Sequence, residues 1–195
     1  MALKIPHREN ELMSLRAIDY QPLDLAEPTE LVAAIRKRRG GQLINLDRML
    51  LHSIPVARGW NAFIGEIREN LSLDPKLREL AMCGVAVLNG AEYEFFHHAP
   101  PFRKAGGTDK QVEALRHIGE LTFPQERFDT VELDTVKLTL QMTRDIVVDK
   151  VVIQDLQKAI GDTAVVELVS VIAAYNMVSR FLIALDVNPE DQPPV

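Results

Sequence analysis

The chain is 195 residues long, 47% hydrophobic and carries a formal net charge of -6; it has ample apolar material for one continuous core and is too acidic for a nucleic-acid partner to be expected. A single cysteine, Cys83, excludes an internal disulfide framework and fits a reducing, cytoplasmic setting. The opening run MALKIPHREN has no apolar signal segment, and no apolar stretch reads as long enough to span a bilayer, so no membrane partner is expected.

Residues 1–27 show no sustained period and read as an extended arm that packs along its own domain or a neighbouring subunit. Pro28 can start a helix that ends at Gly40-Gly41. Its basic run Arg36, Lys37, Arg38, Arg39 suits a solvated helix C-terminus. Leu46 to His52 and Val56 to Asn70 give two further amphipathic helices. Asp74-Pro75 is a strong start signal, an N-cap acceptor before a proline whose missing N–H costs nothing at the first helical position. The helix it opens should run to about Leu88, and Asn89-Gly90 tolerates the positive φ needed to turn the chain into another helix at Ala91. That helix should be short, because Pro100-Pro101 cannot continue it. Thr108 to Gly119, Thr130 to Asp145, Asp149 to Ile160 and Thr163 to Leu185 complete the set. The expectation is an all-α bundle of eight or nine helices over residues 28–188, followed by a flexible tail, 189–195. An internal echo, Leu77-Arg78-Glu79-Leu80 against Val166-Glu167-Leu168, raises an internal duplication with Glu79 and Glu167 as counterparts.

The only dense cluster of chemistry lies between Leu77 and His98. Glu94, His97 and His98 are three and four residues apart, so on a helix they share a face. A carboxylate and an imidazole one turn apart can exchange protons near neutral pH, although an ordinary exposed Glu/His pair has the same spacing. Tyr93, Phe95 and Phe96 point instead to a partly apolar crevice. Glu79, in a largely apolar helix, needs a partner once buried; a helix end or an arginine such as Arg180 is the structural alternative to an acid/base role. Glu94-Phe95-Phe96-His97 has the Glu-x-x-His spacing of di-iron bundles, but no other Glu in the chain has a His three residues on, so no metal is expected. Cys83 sits mid-helix without a second sulfur and reads as a buried structural cysteine.

Arg78-Glu79-Leu80, Gly90-Ala91-Glu92-Tyr93-Glu94, His98 and Ala105-Gly106, with the later Tyr175-Asn176-Met177 and Arg180-Phe181, resemble the carboxymuconolactone decarboxylase and alkylhydroperoxidase D-like superfamily. The resemblance implies the helical fold of that superfamily and a homo-oligomer, whether dimer, trimer or hexamer, with crevices near subunit contacts. In the peroxidase branch a glutamate precedes a Cys-x-x-Cys by twelve residues, and a histidine follows four residues after the second cysteine. On this chain those positions fall at Glu79, Ala91, Glu94 and His98, so both sulfurs are absent. The decarboxylase branch, which also lacks the cysteine pair, is matched by Glu94 and His98. Pro100-Pro101 and Gly107 depart from the usual pattern, at what should be the mouth of the crevice.

The resemblance implies a cofactor-independent lyase acting on a small carboxylated lactone or oxo-acid. His98 is then the proton donor, Glu94 orients it or exchanges its proton, Glu79 is a second acid/base residue, and Tyr93 and His97 contact substrate. The alternatives are an alkylhydroperoxidase-like antioxidant protein, which would have to use Cys83, and a helical binding or scaffold protein without turnover.

Overall fold

The computed structural model describes residues 17–190, and among them the regular structure is eight α-helices and one short 3-10 turn, with no strand. The helices are α1 (Thr29–Arg38), α2 (Asn45–Leu50), α3 (Ile54–Glu69), α4 (Pro75–Asn89), α5 (Glu92–Lys104), α6 (Asp109–Leu115), α7 (Thr130–Arg144) and α8 (Lys150–Ala184). Local chemistry sets most of these boundaries. Asp74 caps α4 by accepting the Lys76 N–H at 2.7 Å. Gly90 then ends α4 in the left-handed region at φ 69°, a conformation a side chain would strain. Asp129 and Glu132 form a reciprocal capping box that starts α7.

Helix α4 is the hub, packing most extensively on α5, α7 and α8. Leu80, Ala81, Met82, Cys83 and Val85 are completely buried along it. One core cluster joins α1, α2 and α3 to α4 and the second half of α8; the other joins α4 to α5 and α6 through Leu80, Phe95, Phe102 and Leu115. Helix α8 bends at Gly161 (φ 80°), so its two parts match the two separate helices expected there. Its length and composition alone suit a membrane span, contrary to the sequence reading, yet Leu168, Val171 and Ile172 are fully buried against the rest of the protein.

Two expectations about α5 and α6 are corrected. Helix α5 does not stop at Pro100-Pro101 but continues through both prolines to Lys104. The missing N–H groups deprive the Phe96 and His97 carbonyls of their i+4 donors, a cost of about 3 kcal/mol for each proline in a helix interior. Tertiary packing overrides it: Ala99 and Phe102, on either side of the prolines, are buried, and Pro100 is left on the exposed side. Helix α6 ends at Leu115, short of Gly119. Gly107 is not at a crevice mouth; a Cβ there would lie 2.5 Å from the Phe102 ring, so its role is close packing.

The described part of the N-terminal arm, residues 17–27, lies on its own domain: Asp19 and Gln21 offer their carbonyls to His52 and Arg48, and the Leu23 carbonyl accepts from Arg36. The rest of the arm lies outside the described residues, as do 191–195 of the tail. The tail's Glu190 is tied down, accepting from the Asn45 N–H at 2.7 Å. Glu167 accepts the backbone N–H groups of Ser72 and Leu73, a loop-capping role unlike that of Glu79.

Candidate functional site

Glu79 from α4 and Glu94 and His98 from α5 meet where the two helices pack. Their exposures are 5%, 4% and 1%, so three ionisable side chains share a nearly dry site. His98 Nδ1 lies 2.7 Å from Glu79 Oε2, a short hydrogen bond, and His98 Nε2 faces Glu94 Oε2 at the looser distance of 3.3 Å. Helical spacing supplies the second contact and the packing of α4 on α5 the first. Arg78, adjacent in sequence, reaches the other oxygen of Glu79 at 3.3 Å and donates to the Arg68 carbonyl at the end of α3. Arg180, the alternative partner, bonds Asn176 instead.

Each ring nitrogen of His98 faces a carboxylate oxygen, and only the imidazolium can donate from both. Burial opposes a charge on His98, but hydrogen bonding and attraction to Glu79 and Glu94 outweigh it and raise the imidazole above its ordinary 6.5. Burial likewise opposes ionised Glu79, yet the His98 hydrogen bond, with His98, Arg68 and Arg78 nearby, holds it below 4.5. The set therefore favours a proton held on the His98 ring between two carboxylates, beside a surface that Glu94 and His98 help to line.

That surface is a cavity of about 710 Å³, within the range of small-molecule sites. Glu94, His98, Tyr93 and His97 all line it, together with Trp60, Ile64, Phe95 and Phe96. Glu79 is not on the wall; it stands behind His98. Tyr93 and His97 reach the wall, but their polar atoms turn to Glu190, which accepts from the Tyr93 hydroxyl and lies 3.2 Å from His97 Nε2. Despite its partial burial, Glu190 is pulled down to about 2 by His97 and by the backbone N–H groups of Asn45 and of Glu190 itself.

Cys83, one turn beyond Glu79 on α4, is completely buried and off the cavity wall. Burial pushes its thiol far above the range in which a thiolate forms. The thiol is placed as structural packing.

Sequence reasoning missed the wall opposite α5. Arg38 and Arg39, expected at a solvated helix end, line the cavity and converge on the buried Asp47 at 3.6 and 3.0 Å, because α2 brings that carboxylate under the end of α1. Arg68 and Tyr175 also line it, with Tyr175 edge-on to the His98 ring at 4.8 Å between centroids. A signal for Arg68 existed: it follows Trp60 and Ile64 at steps of four, in phase with the buried stripe of α3.

Residues 55–129, which include Glu79, Glu94 and His98, match the carboxymuconolactone decarboxylase family. No protein of curated function matches the chain in sequence. Among solved structures, an uncharacterized peroxidase-related protein from Silicibacter sp. TM1040 is similar at a TM-score of 0.74 and 16% identity, covering 94% of this chain and 96% of that one. The debrominase Bmp8, as a cysteine-to-alanine variant in complex with 2,3,4-tribromopyrrole, is similar at 0.73 and 16% identity, covering 90% and 94%. An alkylhydroperoxidase AhpD core protein from Ralstonia eutropha JMP134, also peroxidase-related and uncharacterized, follows at 0.71 and 14%, covering 88% and 92%. At these identities the likeness is one of fold.

Proposed function

We propose that this chain, whose residues 55–129 match the carboxymuconolactone decarboxylase family and whose fold is that of alkylhydroperoxidase D-like proteins, is a cofactor-independent carboxy-lyase acting on a small carboxylated lactone or oxo-acid. The observation that carries this reading is the position of His98 between two buried carboxylates, with Glu94 on the cavity wall and Glu79 behind. In such a reaction the bond to the substrate carboxylate breaks, carbon dioxide leaves, and the electron pair enters the conjugated carbonyl. One proton must then reach the carbanion.

The geometry favours a different order of roles from the one the resemblance implies. Both His98 nitrogens are turned to carboxylates, so the proton reaches substrate through Glu94, the member of the set with the looser contact. His98 recharges Glu94, Glu79 fixes the ring and its charge, and solvent entering the cavity returns the consumed proton. The fold's capacity for a small ring compound is supported by the tribromopyrrole held by the debrominase relative. The thiol-peroxidase reading is disfavoured by the burial of Cys83 and by Ala91 and Glu94 at the cysteine positions. A cytoplasmic homo-oligomer, dimeric, trimeric or hexameric, remains part of the proposal, as does substrate contact by Tyr93 and His97 along the wall.

Carbon dioxide release from a panel of carboxylated lactones and oxo-acids tests the reading. Glu94→Gln is expected to lower the rate of any accepted substrate by at least about 100-fold with an unchanged helical circular-dichroism spectrum. Full activity in that variant, or no turnover by the wild type across the panel, overturns it, the latter in favour of a binding protein.

A further inference from the structure

Five arginines line the cavity, and four of them are already engaged. Arg39 gives two donors to Asp47, Arg38 bonds Asn61 at 2.9 Å and approaches the same Asp47, Arg103 pairs with Asp109 at 2.6 Å, and Arg116 lies over the Phe95 ring at 4.3 Å with Glu92 nearby. Arg68 differs. Among the described residues no carboxylate lies within ion-pair distance of it; Tyr175 lines the same cavity and is the strongest electrostatic influence on it, with Glu79 and Glu94 acting more weakly. It is half-buried on the cavity wall. A guanidinium in a partly apolar cavity, sharing its wall with a phenol whose proton has no acceptor among the described residues, is an arrangement that a ligand carboxylate completes.

We infer that Arg68 and the Tyr175 hydroxyl form an anion subsite that receives the carboxylate of a small planar acid and so determines which ligands enter. Arg68 offers its fork of N–H donors to the anion. Tyr175, whose oxygen can accept from Arg68, keeps its own proton to donate. The subsite sits beside His98, since Tyr175 packs edge-on against that ring, and shares its cavity with Glu94. A ligand carboxylate on Arg68 has Trp60, Ile64 and Phe95 in the same cavity to receive its ring, and Glu94 within that cavity as well. Arg78 supports the subsite by holding the last turn of α3 through the Arg68 carbonyl. This inference rests on the cavity being the substrate site, as the proposed function has it, but not on turnover.

Trp60 is the chain's one tryptophan and lies on the cavity wall, so its fluorescence reports occupancy directly. The probe is benzoate at pH 7, with benzyl alcohol as its uncharged counterpart of similar size. Wild-type protein is expected to bind benzoate at least about 10-fold more tightly than benzyl alcohol, and Arg68→Gln to raise the benzoate Kd by about 10-fold or more. Arg68→Lys should recover only part of the loss. Glu94→Gln should bind benzoate as well as the wild type or better, since it removes a nearby negative charge. That variant also separates the two ideas: if it keeps turnover, the proton-transfer reading fails while the subsite stands. Equal affinity for benzoate and benzyl alcohol, no binding of benzoate, or an Arg68→Gln protein with wild-type affinity overturns the subsite. Should Arg68→Gln fail to fold, the benzoate and benzyl alcohol comparison on the wild type and Arg68→Lys still decides.

Discussion

His97 and His98 are neighbours on one helix, each facing a glutamate brought from elsewhere in the chain, yet they occupy different electrostatic worlds. His98 is 1% exposed and lies between Glu79 and Glu94. His97 is 14% exposed and, among the described residues, has one carboxylate, Glu190, 3.2 Å away but poorly aligned for a hydrogen bond. The difference follows from helix geometry: consecutive residues are turned about 100° apart, so only one of the two can face the α4 interface. Pairing alone therefore does not make an acid/base centre. Burial between two carboxylates, with one of them on a cavity wall, separates the inner pair from the outer one.

Alanine substitution should separate the two histidines by the widest margin. His98→Ala removes the ion-pair partner of buried Glu94 and leaves buried Glu79 with Arg78 alone among the described residues, and should cost about 3–5 kcal/mol of stability. His97→Ala, which removes one partly exposed contact, should cost less than about 1 kcal/mol. Urea denaturation of both variants checks this, and equal losses would remove the distinction.

A smaller effect sharpens it through pH. The raised His98 contributes stability that is complete below 6.5 and is lost as pH climbs through its folded value. The lowered Glu79 contributes stability that is present above 4.5 and is lost as pH falls through its folded value. The difference in melting temperature between wild type and Glu79→Gln should thus be greatest between pH 4.5 and 6.5 and shrink on both sides. A difference independent of pH would show that the two groups are not linked.

Much of this was readable from local chemistry. Asp74-Pro75 and Asn89-Gly90 announce the ends of α4, and the four-residue spacing of Glu94 and His98 places them on one face, because these features depend on neighbours in sequence. The continuation of α5 through Pro100-Pro101 was not readable, since it depends on the burial of Phe102 by α4 and α6. Glu79 could be singled out as a carboxylate in an apolar helix, but its partner, nineteen residues away, required the packing of α4 on α5. Arg68 and Tyr175 are farther apart still. Their meeting depends on how α3 and α8 cross, which no local pattern encodes.

Nitrogen-detected NMR of ring-labelled protein reads the protonation of His98 itself. The account predicts that His98 titrates above pH 6.5, with both ring nitrogens protonated below that point. A His98 ring that is neutral at pH 6.5, with one nitrogen unprotonated, would contradict it.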